Sequence, residues 1–169
     1  MNQNTLGYLA GVIDGEGYIG LEKTQRTKAL KDQRWWSPRY QPNVCVINTN
    51  KDLIDFLQKE WSGSVTLRRG NQIKFHWKTC WRWRLNQGRI VEFLTLIRPF
   101  LIVKPKQADL LLRFYRERKL KLHHREHISE EELAFRESIY REIKRLNHYD
   151  PQRLNEEALI PKGKGDAIV

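Results

Sequence analysis

Hydrophobic positions along the chain follow two periods, and their order outlines the fold. Thr5 to about Gly15 reads as a short helix capped by Asn4 or Thr5. Tyr18, Gly20 and Glu22 then alternate with Ile19, Leu21 and Lys23, the two-residue period of a strand. A return strand is expected from Arg39 to Asn48, with Val44, Val46 and Pro42 on one face. The polar and basic residues 23–38 connect the two, with Trp35 and Trp36 near the end. Connections of that length in compact domains tend to be functional. Asn48, Thr49 or Asn50 offers an N-cap for a helix from Lys51 to Trp61, whose apolar face is Leu53, Ile54, Leu57 and Trp61.

A hairpin should follow, Ser64–Arg69 returning as Gln72–Lys78 through a Gly70-Asn71 turn, with Trp81–Leu85 extending it or adding a strand. Ile73, Phe75 and Trp77 alternate with Gln72, Lys74, His76 and Lys78, and Trp81, Trp83 and Leu85 alternate with Arg82 and Arg84. One sheet face is thus aromatic and the other carries long hydrogen-bond donors. Ile90 to Ile97 is expected to form a helix stopped by Pro99, and a second helix starts at Pro105 and carries Ala108, Leu111, Leu112 and Tyr115. Ser129 with Glu132, flanked by Ile128 and Leu133, is a capping box with a hydrophobic staple, which predicts a helix to about Asn147. The expected organisation is a core over residues 1–118, a helical extension over 119–148 and a tail over 149–169.

The first helix carries Gly7, Gly11 and Gly15 at a spacing of four, with Ala10 beside Gly11. An interior glycine costs about 1 kcal/mol against alanine, so three on one stripe need a reason. A stripe without side chains lets another backbone approach closely, as in a tightly packed helix pair.

Composition narrows the partners. The 169 residues carry a formal charge of +11, and the two cysteines, Cys45 and Cys80, show no CxxC spacing. A reducing, intracellular setting is the expectation, either the cytoplasm and nucleoid of a prokaryote or an organelle. No apolar run approaches the roughly 18 residues of a membrane span, and the N-terminus lacks the pattern of a signal peptide. Residues 23–91 hold fifteen basic side chains against four acidic ones, which is the whole excess, and residues 61–91 hold seven and none. Such a segment is the electrostatic footprint of a polyanion partner.

Leu9-Ala10-Gly11-Val12-Ile13-Asp14-Gly15-Glu16-Gly17 resembles the signature of the LAGLIDADG homing endonucleases, with Gly15 replacing the second alanine and Glu16 the last aspartate. Pro99-Phe100-Leu101, Lys104, Lys106-Gln107-Ala108 and Leu110-Leu111 resemble the block around that family's catalytic lysine. The resemblance covers about residues 4–118. It implies an α+β fold of order αββαββα, a four-stranded antiparallel saddle-shaped sheet backed by helices, here with an extra C-terminal helix.

The resemblance also implies a site-specific, metal-dependent double-strand DNA endonuclease that promotes intron mobility. Glu16 would hold metal with the backbone carbonyl of Gly15, and Lys104 would sit near the cleaved phosphate. Asn48 is the candidate for positioning water, an alignment that also admits Asn50 or Lys51. Two carboxylates brought together repel, and a divalent cation with hard oxygen ligands relieves that repulsion. Mg²⁺ is the expected ion, with Mn²⁺ as a substitute and Ca²⁺ binding without supporting cleavage. One copy of the signature implies a homodimer, packed through Gly7, Ala10, Gly11 and Asp14, that cuts a near-palindromic site and leaves short 3′ overhangs. Candidate DNA contacts are Lys23, Gln25, Arg26, Lys28, Arg39, Arg68, Arg69, Lys74, His76, Arg82 and Arg84. The rival readings are an RNA maturase that binds without cutting and a transcriptional regulator. His123, His124 and His127 allow two metal ligands on one helical face but no third, which favours a solvated connector.

Overall fold

A computed structural model describes residues 2–24, 38–68, 78–119 and 128–148. Helix α1 (Gln3–Glu16) leads into strand β1 (Gly17–Thr24), followed by β2 (Arg39–Asn48), α2 (Lys51–Trp61), β3 (Ser64–Arg68) and β4 (Cys80–Arg84). Helices α3 (Ile90–Ile97), α4 (Pro105–Glu117) and α5 (Glu130–Asn147) complete it. The strands form one antiparallel sheet in the order β1-β2-β4-β3. The expected α+β class, with an antiparallel four-stranded sheet backed by helices, is the architecture observed.

Local rules place most boundaries. The Asn50 side chain accepts from the backbone N–H groups of Asp52 and Leu53 and starts α2 where expected. Pro99 ends α3 in a short 3-10 turn, Pro105 opens α4, and the Ser129 hydroxyl accepts from the Glu132 N–H at the start of α5. Helix α1 begins earlier than expected. Asn2 is its cap, accepting from both the N–H and the hydroxyl of Thr5, so Thr5 already lies inside the helix.

The strand pairing identifies the partner of β3. Register sets Arg68 opposite Cys80 and Val65 opposite Trp83, so the described β3 pairs with β4. Gly70-Asn71 and residues 72–77 lie outside the described residues. The physical reason for the pairing is the buried Trp83, which stands edge-on to Phe93 while Trp61 packs on the same ring. Its indole N–H donates to the Ser62 carbonyl, which ties β4 to the end of α2.

The core lies between the sheet and the helices, with Ile13, Ile19, Val44, Val46, Ile54, Trp83, Phe93 and Leu111 buried in it. Helix α5 contributes Ile139 and Ile143 to that same cluster. Asn147 donates to the Ile19 carbonyl of β1, and Glu137 accepts from Lys23 and from the Tyr40 hydroxyl.

These contacts hold the Glu137 carboxyl at about 2, chiefly through the Lys23 ammonium and then the Tyr40 hydroxyl. Because the folded value lies below the ordinary 4.5, this pairing stabilises the fold above about pH 4.5 and is lost as pH falls towards about 2. Thermal unfolding recorded from pH 6 to pH 2 should show Glu137→Gln less stable than wild type at pH 6, the gap closing across that window.

Candidate active site and nucleic-acid interface

The end of α1 is built by a reciprocal clasp with the segment that precedes α4. Asp14 accepts from the backbone N–H groups of Ile102 at 2.6 Å, Val103 at 3.1 Å and Lys104 at 2.9 Å. In return the Lys104 ammonium donates to the carbonyls of Ile13, at 2.9 Å, and Asp14. Helix C-termini favour a cation, and Lys104 supplies one there, sharing the Ile13 carbonyl with the Gly17 N–H. Burial pushes its ammonium below the ordinary lysine range, while Asp14 and Glu16 beside it push the other way.

Glu16 is different. It is exposed, and among the described residues no group donates to its carboxylate. The chain turns directly into β1 at Gly17, where a Cβ would fall 2.7 Å from the Ile13 Cα and carbonyl oxygen; only glycine allows that turn. Asn48 ends β2 two residues beyond Val46, the partner of Gly17, so it sits at the level of the α1–β1 junction. Its Oδ1 accepts from the Asn50 N–H, leaving the amide nitrogen unspent among the described residues. The two other candidates for that role are committed elsewhere: Asn50 caps α2, and Lys51 pairs with Asp55.

Gly7, Gly11 and Gly15 form an open stripe along α1. A Cβ added at Gly7, Gly11 or Gly15 would meet nothing within 4 Å. Ala10, expected beside Gly11 at the interface, is fully buried in this chain's own core, because it shares the inward face with Leu9 and Ile13. Asp14, also expected at the interface, is consumed by the clasp. Large apolar side chains stay exposed on α1 and the clasped segment: Tyr8 at 55%, Ile102 at 87% and Val103 at 67%.

The sheet face away from the helices follows from strand alternation and register. Tyr18, Glu22 and Thr24 of β1, Arg39, Gln41, Asn43 and Cys45 of β2, Ser64 and Thr66 of β3, and Arg82 and Arg84 of β4 share it. Three of these close a ring across the strands: Arg84 donates to Glu22 at 2.7 Å and to Asn43 at 2.9 Å, and Asn43 donates to Glu22 at 2.7 Å.

Solved structures with this architecture are homing endonucleases. The archaeal intron-encoded homing endonuclease I-Vdi141I, solved in complex with DNA, superposes with a TM-score of 0.64 at 16% identity over 90% of this chain and 91% of that one. The homing endonuclease I-TnaI gives 0.54 at 18% identity over 90% and 95%. The LAGLIDADG homing endonuclease I-SmaMI, bound to cleaved DNA, gives 0.57 at 14% identity over 100% of this chain and 52% of that one. This is the LAGLIDADG homing-endonuclease fold. No protein-family model and no curated protein matches the sequence.

On the LAGLIDADG fold the expected DNA contacts separate into three groups. Arg39, Arg82 and Arg84 stand on the outer sheet face, and Arg68 lies in β3 opposite Cys80. Lys23 does not join them: its ammonium points to the helical side, 2.8 Å from Glu137 and near the rings of Tyr40 and Tyr140. It is an odd-numbered strand position, in phase with Ile19 and Leu21, and that phase turns it inward. Gln25, Arg26, Lys28, Arg69, Lys74 and His76 lie outside the described residues, as do Trp35, Trp36, His123, His124 and His127. Tyr18, Glu22, Gln41 and Asn43 were not singled out from the sequence. The alternation that begins at Tyr18 signals the first two, but only the cross-strand register joins Glu22 to Arg84.

Among the described residues no three His, Cys, Asp or Glu side chains gather into a metal cluster. At the end of α1, among the described residues, each chain offers one unspent carboxylate, Glu16, with the adjacent Gly15 carbonyl. These hard oxygen donors fit Mg²⁺, which keeps several waters and takes one or two carboxylates plus substrate phosphates instead of a closed protein cage. No helix of the described residues is long and apolar enough to cross a membrane.

The clasp gives a direct test. Asp14→Asn keeps the shape but removes the charge from a group bound by three N–H donors, and should cost about 1–3 kcal/mol of stability in urea unfolding. Glu16→Gln, at an exposed and unengaged position, should stay within about 0.5 kcal/mol of wild type.

Proposed function

We propose that this protein is a site-specific double-strand DNA endonuclease of the intron-mobility type, acting as a homodimer with divalent metal ions. The observation that supports it most is the division of labour at the end of α1. Asp14 is bound by backbone N–H groups, whereas Glu16 two residues later is exposed and unengaged beside the Lys104 ammonium.

On this reading two copies pack through the open glycine stripes of α1 and bring their Glu16 carboxylates to one place. Glu16 and the Gly15 carbonyl hold the ion from the protein side, and Asn48 orients the attacking water through its free amide. A divalent cation bound there supplies Lewis-acid stabilisation of the phosphate and a more acidic water. Lys104, whose charge interacts with Glu16, would stabilise charge on the phosphate as it develops, without competing for the metal. The outer sheet face enters the major groove, where arginine reads guanine and asparagine or glutamine reads adenine. A two-fold protein selects a near-palindromic target.

The protein should bind and cut members of a randomised duplex library in Mg²⁺. Glu16→Gln should retain binding within a few-fold and lose about 10²-fold or more in cleavage rate. If wild type binds but never cuts, and Glu16→Gln behaves identically, a non-cleaving nucleic-acid binder such as an RNA maturase is the correct reading.

Dimerisation is checked separately by analytical ultracentrifugation. Gly11 faces open space in the single chain, so Gly11→Leu should leave the fold at least as stable as wild type. The same change should block the dimer. A wild type that stays monomeric, with and without DNA, would overturn the symmetric arrangement.

A further inference from the structure

We propose that Arg84 is a specificity-determining residue that reads one guanine, and that Glu22 and Asn43 are positioning residues that aim it. This rests on the DNA-binding reading above and adds to it the base that is read and the device that fixes the reader.

The three side chains come from three adjacent strands, β1, β2 and β4. Each hydrogen-bonds both others, which leaves the ring no open member. Asn43 is 3% exposed, so its amide cannot turn to water for partners. Its oxygen must face the Arg84 Nε–H and its nitrogen must face Glu22; the flipped amide would set donor against donor and acceptor against acceptor. Glu22 Oε1 accepts from both Asn43 and Arg84, which supplies the counter-charge that holds the guanidinium in place.

Which edge of the guanidinium is used decides what it can do. Nε and Nη2 are engaged, the side-on edge. A guanidinium has five N–H donors. The end-on fork, formed by Nη1 and the second Nη2 hydrogen, is unspent among the described residues. That fork can pair bidentately with the O6 and N7 acceptors of guanine. Arg84 and Glu22 are 33% and 43% exposed, so the ring reaches the outer sheet face instead of being sealed beneath it. A lone arginine on that face would swing among rotamers and bind phosphates of any sequence. An arginine braced on two sides has lost that freedom before it meets DNA, so less ordering is required on binding.

The test is selection of bound sequences from a randomised duplex library by the full-length protein, in wild type and three variants, with circular dichroism to confirm folding. Wild type should select a motif containing an invariant guanine. Arg84→Ala should lose preference at that one position, keep the rest of the motif, and bind the wild-type site about 10-fold or more weakly. Glu22→Ala and Asn43→Ser should reduce discrimination at the same position several-fold. Glu22→Ala should also raise affinity for unrelated DNA, because it removes an acid from the DNA face. A merely structural role would not alter preference at a single base.

Three results overturn the proposal, and they differ. An unchanged motif for Arg84→Ala removes Arg84 as a reader while DNA recognition stands. Weakening of all sequences alike, with a salt slope reduced by about one, would make Arg84 a phosphate contact. A wild type that selects no sequence removes both this proposal and the reading on which it rests.

Discussion

The clasp between Asp14 and the backbone of residues 102–104 is the constraint on which the rest of the site depends. It joins segments 88 to 90 residues apart in sequence and satisfies both. The carboxylate engages three N–H groups at the entrance to α4, and the Lys104 ammonium returns to the Ile13 and Asp14 carbonyls at the end of α1. Charge-assisted bonds of this kind are about twice as strong as neutral ones, and here each end supplies what the other lacks. Two residues apart on a helix means about 200° around its axis. Committing Asp14 to the clasp therefore turns Glu16 away from it, out of reach of the same N–H groups. Two acids of similar chemistry acquire opposite fates from helix geometry alone.

The sheet divides its faces just as sharply. One face is sealed by Trp83, Val44, Val46 and Ile19 against the helices, and α5 closes its β1 edge through Glu137, Ile139, Ile143 and Asn147. The other face carries few apolar groups, and its polar groups are tied to one another across strands. Of the basic segment 23–91, only part stands on that face within the described residues, and Lys23 is withdrawn from it altogether. Net charge over a segment sets the long-range field, which speeds encounter with a polyanion. Which base is recognised depends instead on how few donors are held in fixed directions. The two properties need not reside in the same side chains.

What was legible in the sequence tracks how local the governing physics is. The bounds of β2 and α2, the stop at Pro99, the start at Pro105 and the cap at Ser129 all follow from residues within one turn of the boundary, and the structure has them there. The Asn2 cap was missed because Asn2, Asn4 and Thr5 are all competent caps, and the choice depends on how far the inward face of α1 extends. The pairing of β3 with β4 is not legible locally, because a dipeptide such as Gly70-Asn71 satisfies a local turn rule, whereas Trp83 gains its burial from Trp61 and Phe93 of distant helices. Lys23 carries the right charge, but the strand phase it shares with Leu21 sends it to Glu137, over a hundred residues away. The ring of Glu22, Asn43 and Arg84 was invisible for the same reason: no local rule links three positions that meet only through register.

The position of Lys104 also bears on assembly. Under the proposed pairing, two Glu16 carboxylates would converge at two helix C-termini, where the negative dipole ends add to the repulsion between the charges. A site arranged that way without a counter-charge would oppose its own dimer until a cation arrived. Each chain carries the remedy in the clasp, since the Lys104 ammonium lies on the carbonyls of its own α1 and near its own Glu16. Its burial weakens the ammonium's hold on its proton, and the neighbouring acids offset only part of that, so the charge balance is local to each copy. The lysine that the reaction would use on a phosphate is thus first required by the fold, to make an acidic helix end compatible with a second one.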